Sequence, residues 1–229
     1  MNETHGFSDR DLRQRDILPS DRLADCSATV IGVGAIGRQV ALQLAAIGIP
    51  RLQLIDHDTV EPVNLAAQGY LERDVGRPKV EATGELCKAL NSGIELRLHP
   101  ERFRRSMLIG NIDFCCVDSI ETRRLIWNAI GQTAEFFCDG RMAAETLRVV
   151  TASDMESRGY YPTTLFAPGE AHRGACTARS TIYCANVAAG LMLAQFAKFL
   201  RRLPIDPDIQ FNLLTTELSI RSQLVALTS

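Results

Sequence analysis

The sequence predicts an α/β protein, a Rossmann-like, doubly wound and mostly parallel sheet with an antiparallel C-terminal extension. Residues 29–58 run from an apolar strand through Gly32-x-Gly34-x-x-Gly37 into a helix, then to a second strand ending in carboxylates, which is the form of a βαβ nucleotide-binding unit. Residues 113–118 read as a buried parallel strand around the apolar run FCCV. After a long apolar helix, residues 209–214 and 217–220 read as a closing hairpin or bent strand.

The elements follow in chain order. Residues 1–25 form a polar arm with several arginines, of a kind that frays unless it is docked. Residues 26–229 then read as a single domain, opened by the βαβ unit. Pro78 starts a helix in which Val80, Thr83, Leu86, Cys87 and Leu90 recur at helical spacing until Asn91-Ser92-Gly93 ends the run. Residues 94–98 alternate as a short strand, residues 113–118 form a parallel strand ending in Asp118, and a helix covers residues 121–130. Residues 136–140 are a short strand ending in a turn, and residues 145–151 are another. Residues 152–179 lack periodicity and read as a long crossover loop, about 152–180, of a length usually tied to function. Residues 181–200 form the long helix.

Bulk properties narrow the partners. A length of 229 residues suits one α/β domain, or one such domain with an elaborated edge. A formal charge of −2 gives no general affinity for nucleic acid or an anionic membrane. Seven cysteines without a CxxC pair make neither a disulfide framework nor a zinc ribbon, so no structural zinc is expected. The N-terminus has no apolar secretory core, so a cytoplasmic location is expected. Residues 182–200 are interrupted by Asn186, Gln195 and Lys198 and read as a buried helix rather than a membrane span.

Chemistry concentrates at strand ends. Gly32, Gly34 and Gly37 allow a tight turn and close approach of backbone to a phosphate, and Asp56 falls where a ribose hydroxyl would be met. Asp118 puts a carboxylate at the ligand-binding edge of the sheet. Arg141 is placed to meet a phosphate or substrate tail, or to pair with Glu145. His57, between two aspartates, has a packing or nucleotide-edge role. Cys115, Cys116, Cys138 and Cys184 are read as core.

The motifs together resemble the ThiF/MoeB/HesA family, the ubiquitin-activating-type adenylyltransferases, over nearly the whole chain. They are Gly32-x-Gly34-x-x-Gly37, Asp56-x-Asp58-x-Val60, Asn64-Leu65-x-x-Gln68, Asp74-Val75-Gly76-Arg77-Pro78-Lys79-Val80-Glu81 and Val117-Asp118, with an N-terminal Arg10-x-x-Arg13-Gln14. The resemblance implies an adenylation domain using ATP and Mg²⁺ to activate the C-terminal carboxylate of a ubiquitin-like or sulfur-carrier protein with a Gly-Gly type tail. By the same resemblance Asp56 holds the ribose, and Asp58 belongs to the nucleotide-binding set. Asn64, Gln68 and Lys79 surround the triphosphate, and Asp118 carries Mg²⁺. Arg13 is an arginine finger for the partner's site in a homodimer. Cys176 is the crossover-loop cysteine of thioester or persulfide transfer, beside His172, Arg173 and Arg179, which would lower its thiol pKa if they converge on it.

The sequence departs from the family pattern at three points. Ala67 stands where an arginine precedes the Gln, Ser119 stands where an Asn follows the magnesium aspartate, and the zinc-binding CxxC pairs are missing. Ala67 and Ser119 motivate one alternative, a non-catalytic adaptor that keeps the fold. A second alternative, an NAD-dependent oxidoreductase, accounts for the glycine turn and Asp56 but not for residues 64–79, Asp118 or the arginine arm.

Overall fold

The structure, a computed structural model, describes residues 13–14, 16–165 and 181–221. Its eight strands form one sheet in the order β3-β2-β1-β4-β5-β6-β7-β8. β1 (Ser27–Ile31), β2 (Arg51–Ile55), β3 (Glu95–His99), β4 (Ile112–Cys115) and β5 (Phe136–Ala143) pair in parallel. β6 (Thr146–Ala152), β7 (Asp208–Asn212) and β8 (Glu217–Arg221) extend the sheet antiparallel. The predicted α/β fold with its antiparallel extension is therefore present.

Alternation within the strands builds two cores. Ala28, Val30, Ile112, Phe114, Phe136 and Cys138 point to one face and pack with α2 (Ala35–Ile47), α4 (Lys79–Leu90) and α7 (Ile182–Leu200). Ile31, Cys115, Phe137 and Val150 point to the other face and meet Ile126, Trp127 and Ile130 of α5 (Ile120–Ile130), with Tyr161. α7 is long and apolar enough to cross a membrane, but Ala185, Ala188, Ala189, Met192 and Phe196 are buried in the first core. This is the packing expected of a core helix.

The N-terminal arm and the crossover stretch differ from their sequence-based reading. The last turn of the N-terminal arm is a short helix, α1 (Ser20–Ala24); Leu23 is buried, and Arg22 donates to the carbonyls of Phe199 and Leu200 at the end of α7. The crossover stretch begins with helix rather than loop. α6 (Met155–Tyr160) is capped by Asp154, whose carboxylate accepts from Ser157 N–H at 2.8 Å, and a 3₁₀ turn over Tyr161–Thr164 follows. A helix this short leaves no periodic stripe to read, and the cap carries the signal instead.

Candidate functional site

The strand order turns back between β1 and β4, and their carboxyl ends form the crevice where α/β sheets bind ligands. The glycine turn follows β1 at this point. Gly32 has φ +87°, and a Cβ there would meet the Cys116 carbonyl oxygen at 2.8 Å. A Cβ on Gly37 would run into the Gly32 carbonyl and lie 3.0 Å from Cys116 Cβ. These two glycines are required by the packing of α2 onto the strands. Gly34, the N-cap of α2, differs: a Cβ there would meet only Gln68 Oε1, at 3.9 Å. It leaves backbone open at the N-terminus of a helix, where an anion is favoured.

Asp56 braces this turn. Its Oδ2 accepts from Val33 N–H at 2.6 Å and its Oδ1 from Asp58 N–H at 2.8 Å. Residues 58–60 then lie against 76–79 through the Val60 N–H to Arg77 oxygen bond (2.9 Å) and the Lys79 N–H to Asp58 oxygen bond (3.0 Å). This register places Lys79, first residue of α4, so that its Nζ meets Asp58 Oδ2 at 2.9 Å. The Lys79 side chain is 7% exposed and that of Asp58 49%. Partial burial pushes the Asp58 carboxyl up, but the hydrogen bond and charge of Lys79, helped by His57, outweigh it and hold the pKa below the ordinary carboxylate range. His57 Nε2 stands 3.2 Å from Asp58 Oδ1. Asp56, His57 and Asp58 could bring ligand atoms within 4.8 Å of one another, but Lys79 and backbone N–H groups already engage both carboxylates.

α3 (Asn64–Gln68) closes the crevice from above the turn. Asn64 is buried and its Oδ1 accepts from Glu61 N–H at 2.9 Å, which fixes the entry to the helix. The helix ends on Gly69 in the left-handed region, φ +75°. Gln68 Oε1 is buried without a hydrogen-bond partner among the described residues. Asp118 is exposed just beyond β4 and precedes Ser119, which caps α5 by accepting from Thr122 N–H. The glycines, Asp56, Asp58, Asn64, Gln68, Lys79 and Asp118 thus share one edge of the sheet.

Residues 9–223 match the ThiF family. This chain belongs to the ThiF family. Among curated relatives, this chain is 31% identical over 135 residues to the sulfur carrier protein ThiS adenylyltransferase of Escherichia coli, covering 52% of this chain and 54% of that protein. It is 35% identical over 114 residues to the adenylyltransferase and sulfurtransferase MOCS3 of Mus musculus, covering 47% and 25%. It is 23% identical over 220 residues to ubiquitin-like modifier-activating enzyme 5 of rice, covering 84% and 52%. The chain spans between a quarter and about half the length of these relatives. Among solved structures, E. coli MccB with AMPCPP and MccA superposes with a TM-score of 0.73 at 18% identity over 97% of this chain and 73% of that one. The likeness is one of fold.

The remaining candidates lie apart from this crevice or outside the described residues. Arg13 is exposed, and its neighbour Gln14 donates to the Ile47 carbonyl at 3.0 Å, at the C-terminal end of α2. That is the length of the helix, roughly 20 Å, from the glycine turn of the same chain. Arg10, His172, Arg173, Cys176 and Arg179 lie outside the described residues. Arg141 meets neither Glu145 nor open solvent. Its Nε donates to Asp139 at 2.8 Å and its Nη1 and Nη2 to the Thr164 carbonyl and hydroxyl at 2.8 Å each, while Glu145 accepts from Tyr183. β5 runs past Gly140 instead of turning there, so Arg141 sits on a strand that pairs with β6.

Sequence reading missed two features of this edge. One is a buried cluster in which Asp139 also pairs with Arg123, whose guanidinium donates to the carbonyls of Val117 and Gly140. The other is Arg38, stacked over Tyr70 with 4.6 Å between the guanidinium carbon and the ring centre. An arginine directly after Gly37 and a tyrosine two residues past Gln68 were the only available signals.

Proposed function

We propose that the chain is an ATP-dependent adenylyltransferase that activates the C-terminal carboxylate of a ubiquitin-like or sulfur-carrier protein. The observation that carries this reading is the company kept by the glycine turn: open backbone at Gly34, an unpartnered Gln68 Oε1 facing it, and a buried Lys79 amine whose ion-pair partner is a half-exposed carboxylate. A dehydrogenase site has no need of a buried cation beside its phosphate turn. The named activities of the relatives support the same reading.

Adenylation joins a carboxylate oxygen to the α-phosphorus of ATP and releases pyrophosphate. Both reactants are anionic, so the protein's task is charge and alignment rather than proton transfer. Gly34 offers backbone N–H groups to the phosphates. Lys79, exchanging Asp58 for a phosphate oxygen, offsets the charge of the leaving group. Asp56, whose two oxygens already brace the turn, keeps lone pairs for a ribose hydroxyl. Asn64 and Gln68 line the crevice. Asp118, an exposed carboxylate at a strand end, would hold Mg²⁺, which would supply positive charge against the phosphates. Arg13 serves the site of a second copy in a homodimer, since its own site lies at the other end of α2. Cys176 would take the activated acyl group onward as a thioester, its sulfur displacing AMP from the acyl carbonyl; transfer by the persulfide route would need a separate sulfane-sulfur donor protein to load that cysteine first.

ATP–pyrophosphate exchange with candidate carrier proteins tests the reading, run for the unmodified chain and for Asp118→Ala, Arg13→Ala and Cys176→Ala. Loss in the first two with retention in the third supports adenylation with Cys176 acting afterwards. Absence of exchange with every carrier returns the adaptor reading, and binding of NAD without ATP returns the oxidoreductase.

A further inference from the structure

Arg38 has no task in the reading above, and its surroundings are costly for a structural arginine. It lies in the first turn of α2, four residues after Gly34, and is 3% exposed. Burial lowers its pKa from the ordinary arginine value, so the fold opposes the charge it carries. The acidic group whose field reaches it is Asp74, already engaged by Arg77 at 3.1 Å and by Leu71 N–H at 3.1 Å. Among the described residues, Arg38 Nε has no hydrogen-bond partner. The face of Tyr70 supplies a close contact of opposite polarity, and that ring is locked by its hydroxyl to the Val33 carbonyl at 2.6 Å and to Thr83 Oγ1 at 3.2 Å. A guanidinium buried without an anion is unfavourable unless a ligand brings one.

A second orphan stands beside it. Gln68 Oε1, also buried and unpartnered, faces Gly34, and Arg38 Nη1 lies 3.8 Å from where a Cβ on Gly69, the next residue, would be. An unpaired donor and an unpaired acceptor flank one glycine turn without satisfying each other. A ligand that meets both carries anionic oxygens together with a hydroxyl or metal-bound water. The position of Arg38, against the end of α3 and not at the Asp56 side of the turn, assigns it to the phosphate chain rather than the ribose.

We propose that Arg38 is a binding residue for the outer phosphates of ATP, a second cation that acts with Lys79 on the pyrophosphate leaving group. The role rests on the adenylation reading. Arginine suits it because its planar fork can hold two phosphate oxygens while its face stays on Tyr70.

The test compares ATP and AMP affinity by calorimetry, together with KM and kcat for ATP in pyrophosphate exchange, for the unmodified chain, Arg38→Met and Arg38→Lys. Arg38→Met should weaken ATP by about tenfold to a hundredfold and leave AMP within about twofold, because AMP lacks the phosphates in question. Arg38→Lys should recover part of the ATP affinity and none of any difference with AMP. Equal weakening of ATP and AMP, or unchanged ATP binding, overturns the assignment and leaves Arg38 as a support for Tyr70. Should Arg38→Met fail to fold, Arg38→Lys decides alone: a severalfold loss for ATP with AMP unchanged supports the role, and equal losses or none overturn it. An unmodified chain that binds no ATP overturns the adenylation reading and this role with it, whereas normal ATP binding with an indifferent Arg38 overturns only the latter.

Discussion

Lys79 and Asp58 are joined across 2.9 Å, and the two partners stand in different surroundings: the lysine side chain is 7% exposed, the aspartate 49%. A buried amine held by a half-exposed carboxylate can change partner without being desolvated again, because it is already out of water. The Asp58 carboxyl, held below its usual range mainly by this lysine against the opposing effect of burial, stays ionised at neutral pH.

Removing either side of this pair should therefore give different losses. Lys79→Met should lower pyrophosphate exchange by about a hundredfold or more with little change in Tm, since the aspartate it leaves behind is half in water. Asp58→Asn strands a buried ammonium and should lower Tm by about 2–4 °C per kcal/mol lost. The depressed Asp58 pKa adds stability above its unfolded value that is lost as pH falls through the folded one, so the Asn variant should lack this component of acid unfolding. Equal melting temperatures for the two variants would show that the pair is not asymmetric.

The glycines of the turn should separate by substitution. Gly37→Ala sets a methyl against the Gly32 carbonyl and Cys116 Cβ, so it should destabilise the fold strongly, by about 3 kcal/mol or more. Gly34→Ala meets only Gln68 Oε1 at an ordinary contact distance and should fold with nearly unchanged Tm. Its methyl occupies the open side of the turn, so ATP affinity should fall. Thermal melting alongside ATP titration of both variants checks this, and an unfolded Gly34→Ala would contradict it.

The βαβ unit and the helix from Pro78 were legible because each combines a hydrophobic period with a start and a stop signal. β5 was read only as far as Gly140, since Arg141 looks like a loop residue until Asp139, Thr164 and Tyr161 are seen around it. The site residues were legible as a set of motifs, but their states were not. Nothing in the order of residues says that Asp56 spends both oxygens on backbone N–H groups, or that Lys79 is paired with Asp58. Arg38 and Gln68 illustrate the limit: an orphaned donor and acceptor become visible only when the neighbours that fail to satisfy them are in place.

Asp113 should make the fold lose stability as pH rises from acid through neutral. It lies on β4 between Thr29 of β1 and Phe137 of β5, fully buried, and burial pushes its carboxyl up to about 8 despite the opposing Thr29 hydroxyl. The unfolded group titrates near 3.9. Between these values the folded chain keeps the proton and the unfolded chain releases it, so stability falls as pH rises from about 4 to about 8 and levels off above. Asp113→Asn removes that slope. Melting curves from pH 5 to 8.5 should show the variant gaining on the unmodified chain as pH rises; a constant difference would mean that Asp113 does not titrate in this window.

The buried cluster behind Asp118 should respond to charge count rather than to bond count. Asp139 is fully buried, forms an ion pair with Arg123, and accepts from Arg141 Nε at 2.8 Å and from Tyr161 hydroxyl at 2.9 Å, so one carboxylate holds two guanidinium groups. Arg123→Met removes one cation and leaves a neutral pair, Asp139 with Arg141, at a cost of about 1–3 kcal/mol. Asp139→Asn keeps the shape but leaves two like charges facing each other in the core, and should cost about 3–5 kcal/mol. Arg123 also holds the Val117 carbonyl, one residue before Asp118. Its loss should therefore raise the Mg²⁺ concentration needed for exchange, an effect that Asn at 139 shares only if Arg123 moves. Urea denaturation of both variants checks the ordering, and an Asp139→Asn variant more stable than Arg123→Met would show that hydrogen bonds, not charge balance, hold this cluster together.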